Sequence, residues 1–86
     1  MRSECQIMTR VSKDLVKYLE QLDCGLIVLE NFLYENDLDI SFKNLMTKRI
    51  NLSEKSYQKV QEIKNVYGFS TVKIINSALY LLDIKN

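Results

Sequence analysis

Lys48-Arg49-Ile50-Asn51-Leu52-Ser53 is the stretch on which the fold turns. Polar and apolar residues alternate along it, so Ile50 and Leu52 face one way and Arg49 and Asn51 the other, the period-two signature of a half-buried strand. Ser53 follows as an N-cap candidate, because its hydroxyl can accept an otherwise orphaned helical N–H. Downstream, Tyr57, Val60, Ile63 and Tyr67 recur every three or four residues, with Gln58, Lys59, Glu62 and Lys64 opposite. This predicts an amphipathic helix from about 54 to 67. Gly68 stands where a helix C-cap needs positive φ. Ser70 and Thr71 can cap a next helix, predicted from about 71 to 84 by the stripe Val72, Ile75, Ala78, Leu79 and Leu82.

The N-terminal half follows the same plan in weaker form. Gln6 to Val11 can be a short strand, with Ser12 as a second N-cap candidate. Leu15, Tyr18, Leu19 and Leu22 sit at helical spacing up to Gly25, which reads as a C-cap. Leu26 to Glu35 predicts a second helix, apolar on more than one side and so expected to be deeply buried. Aligning Val11-Ser12 with Leu52-Ser53 places Met8 over Arg49, Arg10 over Asn51, Leu19 over Val60 and Leu22 over Ile63. That is the pattern of an internal duplication. Asn36 to Asp39 begin the join between the halves, and Ser41 to Met46 are expected to add a helical turn.

Composition limits what these elements can do. Eighty-six residues make one small domain, or two very small units sharing a core. There is no His, no Trp and no Pro, and there are two Gly. Without His there is no Ser-His-Asp or Cys-His nucleophile system and no imidazole acid–base chemistry. Acidic pairs occur, but none comes with a nucleophile or a Gly-rich loop. No reaction is assigned, and no metal or cofactor is expected. Cys5 and Cys24 are expected to be free thiols in a reducing compartment, with a Cys5–Cys24 disulfide as the lesser reading. No stretch reaches the roughly 18 apolar residues of a membrane span, and Met1 to Arg10 lack a signal-peptide core, so a cytoplasmic protein is expected.

The net charge of +1 hides an asymmetry. Residues 1–42 hold four cations (Arg2, Arg10, Lys13, Lys17) against eight carboxylates, a net −4; residues 43–86 hold eight cations against three carboxylates, a net +5. A basic half beside an acidic half suggests different partners or different faces of one body.

Strand, helix, Gly turn and helix over 47–84 resemble the ribbon-helix-helix family, the fold of the Arc and methionine repressors. The residues that carry the resemblance are Arg49-Ile50-Asn51-Leu52-Ser53, the Tyr57/Val60/Ile63 stripe, Gly68-Phe69-Ser70-Thr71, and Ile74-Ile75 with Ala78-Leu79. The resemblance implies a mainly α fold with a short antiparallel β-ribbon, built from two strand-helix-helix units, whose ribbon enters the DNA major groove. It also implies a sequence-specific double-stranded DNA-binding transcription regulator, of repressor type, without enzymatic activity.

Physics requires a second unit, because one strand cannot satisfy its backbone groups and two short helices cannot close a core. The favoured arrangement is tandem: a degenerate first unit at 6–36, a linker at 37–46 and a second unit at 47–84, making a pseudo-dimer in one chain. Tandem versions occur among regulators of archaeal viruses, so a viral or plasmid regulator acting in a host cytoplasm is expected. The rival arrangement is an intermolecular dimer through 47–84, with 1–46 as a helical extension. That extension would bind a partner protein, as in an antitoxin-like interaction module.

Under this resemblance the base-reading candidates are Arg49 and Asn51, joined by Thr47 on the same face, with Arg10, Met8 and Gln6 as their equivalents on the first strand. Arg can fork onto guanine O6/N7, and Asn or Gln can pair doubly with adenine N6/N7. Against this, the same side chains can merely solvate a ribbon, and Met8 can be buried. The phosphate-binding candidates are Gly68, Phe69, Ser70 and Thr71, because N–H groups at a helix start attract anions. Lys48, Lys55 and Lys73 would add neutralising charge. Tyr18, Tyr57 and Tyr67 read as core or core-edge residues. The acidic segment from Glu20 to Asp39 contains no Lys or Arg. It reads as a solvated face, a dock for a basic partner protein, or a contact for self-association along DNA.

Overall fold

The computed structural model describes residues 4–85; Arg2, counted above among the cations of residues 1–42, lies outside the described residues. The chain is mainly helical around a two-stranded antiparallel ribbon, an arrangement consistent with a ribbon-helix-helix-like fold. Strand β1 is Glu4–Ser12 and strand β2 is Leu45–Ser53. Between them lie a 3₁₀ segment, Val16–Gln21, and helix α1, Leu22–Glu35. After β2 come α2, Glu54–Tyr67, and α3, Thr71–Lys85. The strand that 45–53 needs is therefore supplied by the same chain.

The ribbon pairs Glu4 with Ser53 at one end and Ser12 with Leu45 at the other. Its midpoint is the pair Met8 and Arg49. Ile50 and Leu52 are buried on its inner face with Val11, as the period-two pattern predicts. They meet Val60 and Ile63 of α2 and Ile74, Ile75, Ala78 and Leu79 of α3 in one core. Each Val, Leu or Ile side chain among them contributes about 1.5–3 kcal/mol when fully buried.

The second half folds as its sequence reads. Ser53 caps α2, its Oγ accepting the Ser56 N–H at 3.1 Å. Gly68 ends the helix at φ 72° and donates its N–H to the Lys64 carbonyl at 3.0 Å. Ser70 caps α3 by accepting the Lys73 N–H at 3.2 Å.

The first half departs from expectation. No α-helix spans 12–23; a 3₁₀ segment stands there, and Ser12 ends β1 instead of capping a helix. Gly25 is no C-cap but lies inside α1, which runs unbroken from Leu22 to Glu35. The reason is a close helix crossing. A Cβ at Gly25 would lie 2.9 Å from the Ala78 carbonyl oxygen and 3.0 Å from Leu82 Cδ1. Chain length explains the 3₁₀ segment: residues 13–21 join β1 to α1, whereas residues 54–70 join β2 to α3, so the first half has too little chain for a full helix and a turn. The order strand, helix, helix thus recurs in both halves, with a 3₁₀ segment in the first where α2 stands in the second.

Two further expectations are corrected. Ser41 to Met46 form no helical turn; β2 already begins at Leu45, preceded by Asn44 at φ 57°, a conformation Asn tolerates better than most residues. The Asn44 carbonyl accepts the Lys13 N–H at 3.0 Å, which closes the open end of the ribbon. Nor is α1 buried on all sides. Leu22, Leu26, Leu29 and Leu33 face the core, but Ile27 is 50% exposed and Tyr34 79%. The join between the halves is anchored by buried Leu38 and by Phe42, which meets Tyr80 edge-on at 6.4 Å.

Candidate nucleic-acid interface

The ribbon's outer face carries all six base-reading candidates. Because facing residues of an antiparallel pair project to the same side, the register places them as three cross-strand pairs: Gln6 with Asn51, Met8 with Arg49, and Arg10 with Thr47. All six are exposed. Met8, for which burial was the rival reading, is 62% exposed. The intervening residues turn to the core, where Thr9 and Val11 of β1 and Ile50 and Leu52 of β2 are buried.

The pairs differ in chemistry. At one end Gln6 Nε2 donates to Asn51 Oδ1 at 3.1 Å, which orients both amides. The midpoint sets a thioether beside a guanidinium, and the other end sets a guanidinium beside a hydroxyl. At a rise of about 3.3 Å per residue, Gln6 to Arg10 spans about 13 Å, close to four base-pair steps of duplex DNA.

Asn76 holds the backbone of this face in place. It is fully buried on α3, between the apolar residues Ile75 and Ala78. Its Oδ1 accepts the Ser12 N–H at 2.8 Å, and its Nδ2 donates to the Arg10 carbonyl at 2.9 Å and to the Val72 carbonyl at 2.8 Å. One amide thus ties the end of β1 to the start of α3. In the sequence, the signal for Asn76 is a lone amide inside an apolar helix stripe, the mark of a satisfied buried polar group.

The phosphate candidates sit at the turn between α2 and α3. Ser70 caps α3, so its hydroxyl has a structural role there. Lys73 Nζ lies 4.1 Å from the centroid of the Phe69 ring, a cation–π contact that keeps the ammonium beside the turn. Lys64, which the sequence reading assigned only to a solvated helix face, reaches the same turn, where its Nζ donates to Thr71 Oγ1 at 3.4 Å. Lys48 takes another position: it belongs to the inner-facing set of β2, across from Thr9, and is half-buried. It is not on the face that carries Arg49.

The corresponding junction in the first half is built differently. The 3₁₀ segment passes into α1 at Gln21, which makes no side-chain cap, and Asp23 occupies the first turn. Asp23 Oδ1 accepts the Ser56 hydroxyl and Glu30 pairs with Lys59 at 2.9 Å, so two residues of the acidic segment bind α2. Helix α1 packs chiefly on α3 and also touches α2. Both cysteines are free thiols, Cys5 half-buried and Cys24 exposed.

No family model matches the chain, and neither a curated protein nor a solved structure is significantly similar to it. No helix among the described residues is long and apolar enough to cross a membrane.

Proposed function

We infer that this protein is a sequence-specific double-stranded DNA-binding regulator of transcription, a tandem ribbon-helix-helix protein whose ribbon enters the major groove. The observation that carries this reading is the outer face of the ribbon. Six side chains stand there in three cross-strand pairs, all exposed, and five of them can hydrogen-bond to base edges. A two-stranded ribbon matches the width of the major groove. The turn at Gly68–Thr71, flanked by Lys64 and Lys73, is suited to a backbone phosphate. Such a regulator acts in the cytoplasm, the host's if the chain is viral, by occluding or recruiting at a promoter.

In-vitro selection from a random duplex library at near-physiological salt tests this. An enriched motif is expected, and Arg49→Ala should cost about 1–3 kcal/mol and relax one base position. Salt-sensitive binding without enrichment would defeat the reading.

One observation favours a second reading, a protein-interaction module of antitoxin type. Ile27 and Tyr34 project from α1, and Tyr34, Val66 and Tyr67 rim a groove that also holds Glu30 and Glu62. A basic, apolar partner segment or a second copy would suit that face. The other element of that reading, dimerisation through 47–84, has less support, because β1 and α1 of the same chain already cover β2 and α3.

A further inference from the structure

A ribbon made by two identical chains carries the same residues at both ends, and so reads a palindrome. The ribbon here is made by one chain, and its two ends differ. A rotation about the Met8/Arg49 midpoint exchanges Gln6 with Thr47 and Arg10 with Asn51. It would therefore bring an amide pair onto a guanidinium–hydroxyl pair. The backbone of the outer face is symmetric about its midpoint and the chemistry is not.

Each end has its own base preference. The bond from Gln6 to Asn51 engages one donor and one acceptor. The pair still carries the Asn51 Nδ2 donors and the Gln6 Oε1 acceptor, a set that matches adenine N7 and N6–H. At the other end Arg10 carries the fork that matches guanine O6/N7, and Thr47 can contact either base or a thymine methyl. At the midpoint Arg49 favours guanine and Met8 adds apolar contact.

A second asymmetry runs the same way. The turn before α3 has a capping serine and two lysines, Lys64 and Lys73, whereas the junction before α1 has no side-chain cap and an aspartate in its first turn. The capped, lysine-flanked helix start is thus found before α3 and not before α1.

We propose that this chain recognises a short, non-palindromic duplex element in a single orientation. The element has an A·T pair under Gln6/Asn51 and a G·C pair under Arg10/Thr47, about four base-pair steps apart. This rests on the DNA reading above and adds polarity and base identity to it.

The test is selection from a random duplex library with two proteins, the wild type and the double variant Arg10→Asn, Thr47→Gln. The variant gives both ends of the ribbon the same amide pair, at exposed positions whose side chains do not enter the core. Wild type should enrich an asymmetric motif and prefer it roughly tenfold over a variant site in which the G·C end is changed to A·T. The double variant should enrich a motif whose two ends have become alike and reverse that preference. Circular dichroism melting checks that both proteins are folded. A palindromic wild-type motif, or an asymmetric motif that the double variant leaves unchanged, overturns the orientation proposal while the DNA reading stands. No enrichment by folded wild type overturns both.

Discussion

The side-chain amide of Asn76 and the backbone N–H of Ser12 meet at 2.8 Å in the interior, 64 residues apart in sequence. The same amide holds the Arg10 carbonyl at 2.9 Å, so a residue of the ribbon's outer face is anchored through its backbone to α3. Position along the ribbon and packing of the helices are thereby linked through one side chain.

Asn76→Ala leaves the buried Ser12 N–H and the Arg10 carbonyl without this partner. A cost of about 2–4 kcal/mol is expected, a large share of the stability of a domain this small. Urea denaturation followed by circular dichroism measures it. Asn76→Asp should be no better, because it replaces a donor with a carboxylate facing two carbonyl oxygens. A loss under about 0.5 kcal/mol for Asn76→Ala would remove the anchor from the account.

Two buried hydroxyls predict the opposite sign. Thr9 Oγ1 and Ser77 Oγ are buried without a hydrogen-bond partner. Thr9→Val and Ser77→Ala should each stabilise by about 1 kcal/mol, since each removes an unsatisfied polar atom and disturbs shape little. Thermal melts of the two single variants, set beside the wild type, decide the sign.

The two glycines should fail for different reasons. Gly25→Ala gains helix propensity of about 1 kcal/mol, but its Cβ meets backbone at Ala78, which cannot swing aside. A net loss of about 1–3 kcal/mol is expected. Gly68→Ala meets nothing within 4 Å and is opposed only by its φ of 72°. Its loss should be about 1 kcal/mol. Equal and negligible effects in chemical denaturation would contradict both assignments.

On the DNA reading, Lys64→Ala and Lys73→Ala should weaken binding to all duplexes alike, each lowering the salt slope by about one. Arg49→Ala should instead act on one base position. Binding titrations at several salt concentrations, on the selected site and a scrambled one, separate the two behaviours.

The exposed face of α1 should be dispensable for the fold. Ile27→Lys and Tyr34→Lys are expected to change stability by less than about 0.5 kcal/mol. If that face binds a second copy, sedimentation velocity will show self-association lost while affinity for an isolated site persists. Loss of single-site affinity would show that α1 contributes to binding and would argue against this separation of faces.

Much of this molecule is legible from residue pattern. The alternation around Ile50 and Leu52, the cap at Ser53 and the glycine at 68 mark β2, α2 and α3 to within a few residues, because each depends on neighbours in sequence. The outer-face residues were legible for the same reason: alternate positions of a strand share a side. What misled was the first half. Gly25 follows a plausible helix and looks like a stop, but whether a glycine ends a helix or lets two helices touch depends on what lies opposite, here Ala78 and Leu82. The apolar residues of α1 on more than one side predict deep burial, yet Ile27 and Tyr34 stay exposed.

By itself, the sequence determined the period of each element, the caps of the second half and the set of side chains available to an outer face, all of which follow from backbone geometry within a few residues. Tertiary structure alone decided that Gln6 faces Asn51 and Arg10 faces Thr47. It also decided that Asn76 spans from α3 to β1. These are contacts between residues far apart in the chain. They exist only once the shared core of β1, β2 and the helices has set the register, since burial of Val11, Ile50 and Leu52 on one face excludes a slip by one residue.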